Sequence, residues 1–405
     1  MKLSLIKTSL ITSLIITLLS SLGFAQNTDN HPYVYVGSYA SQDNPGIFVY
    51  RMDSTTGDLT LLHKISGVVN PSFLAIDPTC RFLYSVSELG NFQGKKSGGL
   101  SAFAIDPKNG DLNLLNQQPS QGQAPCYVSV DKTGKWVFNA NYSSGNVAVH
   151  PILQDGKLGE VSDIKQHEGS SINPNRQKAP YAHSIVIDPS NKFAYASDLG
   201  IDKIMIYAID LANGKLNPND PPFVSVKPGS GPRHFTFHPS GKYAFSIEEL
   251  SCEIISFSHN PENGALEHIQ TISTLPADFT GDNSCADIHV SPDGSFLYGS
   301  NRGHDSITIF KIDQQTGQLK LVGHESTQGK TPRNFAIDPS GKFLYAANQD
   351  SKNIVWFSIN PQTGLLKPLN QISLPSSPVC IKFAIKGNSV SGVSSYIHLA
   401  GNTNP

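Results

Sequence analysis

From residue 33 onward the chain runs in short stretches where apolar and polar residues alternate, separated by turns rich in Pro, Gly and Ser. One phrase returns six times, as PSFLAIDPTCRFLYSVSEL, PCYVSVDKTGKWVFNAN, HSIVIDPSNKFAYASDL, PRHFTFHPSGKYAFSIEEL, ADIHVSPDGSFLYGSNR and PRNFAIDPSGKFLYAANQ. Period-two alternation on both sides of a tight turn predicts a β-hairpin. A second phrase, Gly-x-Leu in a polar turn, occurs seven times, at Gly57, Gly110, Gly156, Gly214, Gly264, Gly317 and Gly364. Each ends one alternating run, such as SITIFKID, and begins another, such as LKLVGHE. Each repeat of roughly 50 residues therefore holds four antiparallel strands, the unit of a β-propeller blade.

Six hairpins against seven Gly-x-Leu turns identify the unit that is split. The N-terminal unit opens directly at YVYVGSY and lacks a first strand, while the chain ends with a spare one, Val379–Ile385. The expected architecture is all-β: a seven-bladed propeller of four-stranded antiparallel blades, its closing blade shared by the N- and C-termini. Such closure leaves no open sheet edge between the chain ends. One domain spans 31–390 on this reading, with polar insertions at 91–99, 168–178 and 278–284 and no helical segment of useful length.

Composition narrows the partners. Thirty Lys and Arg against 32 Asp and Glu among 405 residues leave no basic field for nucleic acid or an anionic membrane surface. Residues 1–25 differ in kind: Lys2 and Lys7, an apolar stretch through Leu19, then Gly23-Phe24-Ala25. This reads as a cleavable secretory signal. The mature protein is then exported to the periplasm or medium, free of the membrane and expected as a monomer. Five cysteines, none in a CxxC pair, exclude a zinc knuckle and leave either buried thiols or one disulfide.

Aligning the repeats locates a site. Five residues before the turn Asp, or its equivalent, near the start of each innermost strand, the hairpins carry Ser72, Cys126, His183, Arg233, Ala286 and Arg333. Six residues past the aromatic that opens each second strand stand Tyr39, Glu88, Tyr142, Leu199, Glu249, Arg302 and Gln349. Both rings face one mouth of the channel, because the innermost strand starts where the second one ends. Convergent guanidiniums at Arg233, Arg302 and Arg333 need carboxylates such as Glu249 and Glu88, or an anionic ligand, to balance them. The imidazole of His183 can take a proton from water. His304 and Asp305 follow Arg302 in the same loop, where they could orient it or a ligand. His234 is expected on the far side of its strand, in blade packing, and His150, His167, His238, His289 and His324 as structural residues without convergent partners. No motif asks for a cofactor or a metal.

HSIVIDPSNKFAYASDLGIDKI, GPRHFTFHPSGKYAFSIEEL, SPDGSFLYGSNRGHDSI and PRNFAIDPSGKFLYAANQDSKNI resemble the propeller lactonases, over nearly the whole mature chain. That family holds bacterial 6-phosphogluconolactonases and fungal carboxy-cis,cis-muconate cyclases. The resemblance implies a catalytic His, two Arg and a Glu, which fall on His183, Arg233, Arg302 and Glu249. Arg333, His304, Gln349 and Glu88 are then expected to bind substrate. The implied reaction is hydrolysis of a sugar-derived lactone such as 6-phospho-D-glucono-1,5-lactone. Its alternatives are lactonising cycloisomerisation of a carboxymuconate, or an exported propeller that binds ligands without chemistry.

Overall fold

Alternating runs bury both of their faces when sheets stack face to face, and here seven sheets do so. The computed structural model describes residues 31–385; among them 28 strands form seven four-stranded antiparallel sheets, without a helix. A strand in the middle of a blade is covered on both sides: Phe343–Asn348 is buried at all six positions. The outermost strand of the same blade, Leu366–Ser373, is largely open to solvent. The apolar cores accordingly lie between neighbouring blades, as where Phe193, Tyr195 and Ile206 meet Phe235, Phe257 and Leu266.

The closing blade is split as the repeat count requires. Ser377–Ala384 is its innermost strand and pairs with Tyr33–Tyr39, which Ile47–Met52 and Leu59–Ile65 follow outward. The last strand of the fold thus covers what would otherwise be an exposed edge of the first.

The Gly-x-Leu turns lock blade to blade. Gly264 has φ +72°, the left-handed region that favours glycine, and an added Cβ would lie 2.7 Å from the Phe193 ring of the preceding blade. Its carbonyl accepts a hydrogen bond from Tyr195 Oη at 2.7 Å. The same lock recurs from Tyr35 to Gly110, Tyr84 to Gly156 and Tyr298 to Gly364, and Tyr345 to Gly57 closes the circle at 2.6 Å.

Around the channel, six of the seven innermost strands carry a β-bulge. In five of them the unpaired residue is single: Cys126, His183, Arg233, Arg333 and Val379. In the sixth, Ala286 and Asp287 together oppose one partner residue. A bulge breaks period-two alternation and re-aims the side chain it releases. Cys126, Arg233, Arg333 and Val379 line one central cavity as a result.

Candidate active site

Three blades deliver the predicted quartet to one point. His183 and Arg233 are bulge residues of Ala182–Ile187 and Pro232–Phe237, Glu249 follows Tyr243–Glu248, and Arg302 ends Phe296–Arg302. Glu249 is the hub. Its Oε2 lies 2.9 Å from Arg233 Nε, 3.0 Å from Arg302 Nη2 and 3.9 Å from His183 Nε2. Its Oε1 accepts a hydrogen bond at 2.5 Å from Arg176 Nη2. Backbone carbonyls complete the frame: Arg233 Nη1 donates to Ala286 at 2.5 Å and Arg302 Nη2 to Cys285 at 2.7 Å.

These surroundings fix the charge states. Burial alone would raise the Glu249 carboxyl, but Arg302, Arg233, His183 and Arg176 hold it well below the usual carboxylate range. Burial, reinforced by Arg302 and Arg333, pulls the Arg233 guanidinium down to about 10, still protonated at neutral pH. Burial and the charge of Arg233 push His183 well below 6.5, so its imidazole is neutral. Its Nδ1 sits 3.6 Å from Cys126 Sγ, while Nε2, too far from Glu249 for a direct hydrogen bond, has no hydrogen-bond partner among the described residues. The site therefore offers an ionised, saturated carboxylate, a free imidazole nitrogen and guanidinium donors beside it.

Arg176 escapes the repeat analysis because it comes from the 168–178 insertion, which has no counterpart in other blades. A basic residue in a mouth-side insertion was the available signal. Gln177 anchors that loop, its buried side chain donating to the Leu199 carbonyl at 2.9 Å.

His234 departs from expectation. It faces the channel, not blade packing, because the bulge at Arg233 shifts the register by one residue. Its Nδ1 lies 2.7 Å from Asp287 Oδ1 and its Nε2 3.2 Å from Arg233 Nη1. Arginine can only donate, so Nε2 is the acceptor and the proton resides on Nδ1, directed at Asp287. His289, expected to have no convergent partner, also reaches Asp287, with Nε2 3.0 Å from Oδ2. Asn334 Nδ2 donates to the same oxygen at 2.5 Å and its Oδ1 accepts from the Ile381 amide at 2.8 Å. Burial would raise Asp287, yet His289 and His234 keep it well below its ordinary value. His167 likewise has a partner, Asp198 Oδ2 at 2.6 Å, in a fully buried pair linking two blades.

The remaining predicted residues divide. Glu88 and Arg333 line the central cavity together with Arg233 and His234. Tyr39 Oη and Ser72 Oγ donate to Glu88 Oε2 at 2.9 and 2.5 Å, and the Arg333 guanidinium stands over the Tyr39 ring at 5.6 Å. Gln349 donates to Asp350 Oδ1 at 2.9 Å. His304 bonds Ser306 Oγ at 2.6 Å and packs edge-on against Phe279 and His324, making no hydrogen bond to the quartet. All five cysteines are free thiols, four of them buried. Among the described residues no cluster of His, Cys, Asp and Glu has the disposition of a metal site.

Comparison with known proteins points the same way. Residues 33–383 match the family described as Lactonase, 7-bladed beta-propeller. The chain is 38% identical over 301 residues to the 6-phosphogluconolactonase of Bacillus subtilis strain 168, covering 74% of this chain and 83% of that one. It is 37% identical over 308 residues to the 6-phosphogluconolactonase of Formosa agariphila, covering 75% and 86%. Among solved structures, the periplasmic gluconolactonase of Pseudomonas aeruginosa superposes with a TM-score of 0.82 at 35% identity, over 88% of this chain and 100% of that one.

Proposed function

This chain belongs to the seven-bladed β-propeller lactonase family, enzymes of the lactonase class, and from that premise we propose that it hydrolyses a sugar-derived lactone at the Glu249 hub. The favoured substrate is 6-phospho-D-glucono-1,5-lactone or a related aldonolactone, in keeping with its relatives' names. The observation that carries the assignment of roles is the single carboxylate oxygen that holds two guanidiniums at 2.9 and 3.0 Å beside an imidazole whose Nε2 has no hydrogen-bond partner among the described residues.

Glu249, ionised and saturated, is an anchor in this scheme and not the base. It fixes Arg233 and Arg302, whose Nη2 and Nη1 respectively keep no hydrogen-bond partner among the described residues and are free to polarise the lactone carbonyl. Both guanidiniums then stabilise the oxyanion that forms when water attacks. His183 Nε2 takes the proton of that water and returns it to the ring oxygen as the C–O bond breaks. A weakly basic imidazole suits the second step, since its protonated form is a strong acid toward a departing alkoxide. A cyclic ester already prone to hydrolysis needs no covalent nucleophile.

We also place the enzyme outside the cytoplasm. The export signal read at residues 1–25 lies outside the described residues; support comes from the sequence pattern and from the periplasmic Pseudomonas aeruginosa relative. The test is lactone opening by purified protein, corrected for the buffer rate. The wild type is expected to accelerate it, His183→Ala to lose about 10²–10⁴-fold and Arg302→Ala about 10²–10³-fold, with melting followed in parallel. No acceleration on gluconolactone or its 6-phosphate would remove this reading.

A further inference from the structure

We propose that Cys252 and Cys285 form a dithiol–disulfide site, whose oxidation staples the turn behind Glu249 to the innermost strand of the next blade. The proposal is independent of the lactonase reading.

Both cysteines depart from the repeat, and they do so at one blade junction. Cys252 lies in the turn between Tyr243–Glu248 and Glu253–His259, at the same left-handed position as Gly145, Asp202, Asp305 and Lys352. Where that position carries Asp, the carboxylate crosses to the start of the next blade. Asp202 Oδ1 accepts from the Gly231 amide at 2.7 Å, and Asp305 Oδ1 from the Thr331 amide at 2.8 Å. Cys285 stands at such a start, on Ser284–Val290, where four of the other five hairpins carry Pro71, Pro125, Pro232 and Pro332. Two replacements at facing positions thus put a thiol on each side of the junction.

Shared partners hold the two thiols together. Asn283 Nδ2 donates to Cys252 Sγ at 3.2 Å and to Asn301 Oδ1 at 3.1 Å, and Cys285 Sγ is 3.2 Å from the same Asn301 oxygen. Thr274 Oγ1 donates to the Cys252 carbonyl at 2.9 Å and lies 3.1 Å from Cys285 Sγ. The pair is also chemically unequal. Cys252 keeps 7% exposure and Cys285 none, so a reagent meets Cys252 first. The Cys285 thiol, with the Asn283 amide and the charge of Arg302, holds the Cys252 thiol below its ordinary value against burial, while burial pushes Cys285 up. A lowered, accessible thiol beside a buried one is the arrangement of an attacking and a resolving cysteine.

With a small-molecule disulfide as oxidant, the Cys252 thiolate attacks one sulfur, forms a mixed disulfide and expels a thiolate. The Cys285 sulfur then attacks Cys252 Sγ and expels the second thiolate, and the two protein thiol protons end on the two released thiols. The protein loses two electrons, which reduce the oxidant. The Cys285 amide donates to the Glu249 carbonyl at 3.2 Å, and the Cys285 carbonyl accepts from Arg302 Nη2 at 2.7 Å. The new bond therefore ties together the backbone segments that hold Glu249 and Arg302.

The purified chain is equilibrated with oxidised glutathione, both folded and during refolding from denaturant. Free thiols are then blocked with N-ethylmaleimide and the digest is mapped by mass spectrometry. A cross-linked Cys252–Cys285 peptide is expected, lost on treatment with dithiothreitol, and the oxidised protein should melt about 4–10 °C higher than the reduced one. Cys285→Ser should stop at a glutathione adduct on Cys252. The site is overturned if both thiols take up maleimide after both treatments, if wild type retains the glutathione adduct on Cys252, or if Cys252 pairs with another cysteine. A cross-link that leaves the melting temperature unchanged overturns the staple.

Discussion

Around the outer belt, equivalent positions meet equivalent partners in five of the seven blades: a glycine carbonyl receives a tyrosine hydroxyl from the preceding blade at Gly110, Gly156, Gly264, Gly364 and Gly57, while serine hydroxyls serve Gly214 and Gly317. At the mouth, equivalent bulge positions carry Cys126, His183, Arg233, Arg333 and Val379, no two blades contributing the same contacts. One backbone repeat thus serves two ends. Where it packs it is copied, and where it surrounds the channel it is varied, because a ligand is not seven-fold symmetric. Function in such a fold is legible as departure from the repeat.

Substitutions at the two regions should separate activity from stability. The largest effect is expected for Glu249→Ala, which strands the buried Arg233 charge. It should destabilise by about 3–5 kcal/mol in chemical denaturation and abolish lactone opening. Next comes Gly264→Ala in the belt, which forces a Cβ into the left-handed region and against Phe193. A loss of about 2–4 kcal/mol is expected, with kcat retained in the folded fraction. Equal activity loss in both variants would erase the distinction between belt and mouth.

The smallest effect sharpens the contrast between two adjacent residues. Glu248 is fully buried, one oxygen bonded to Ser246 Oγ at 2.6 Å and the other without a partner among the described residues. Burial raises its pKa to about 8, whereas its neighbour Glu249 is held ionised. Between its unfolded value near 4.5 and the folded value near 8 the native state binds the extra proton, so Glu248 makes stability fall as pH rises through that window. Glu248→Gln should flatten the decline by about 1 kcal/mol per pH unit, measured by denaturation from pH 5 to 8.

The sequence displayed the blades because seven glycines and six hairpins repeat in register, and it displayed His183, Arg233, Glu249 and Arg302 because each departs from its ring. What it hid shares a physical cause. Arg176 lies in an insertion with no equivalent against which to be compared. The inward turn of His234, and the meeting of His289 with Asp287, follow from bulges, and a bulge leaves no trace in composition while inverting the expected face. His304 stood beside Arg302 in the chain, but its ring packs on Phe279 and His324 instead, since adjacency along a loop does not set direction.

The terminal strand Ser377–Ala384 has a consequence for how the molecule comes into being. Its Ile381 amide bonds Asn334, which bonds Asp287, which orients His234 against Arg233. A ribosome supplies this strand after the other six innermost strands. Until they dock, Tyr33–Tyr39 presents a bare edge and the relay behind Arg233 lacks its final link. Competence for chemistry and protection against edge-to-edge association therefore arrive in the same event, and a chain that stops before Ser377 forfeits both.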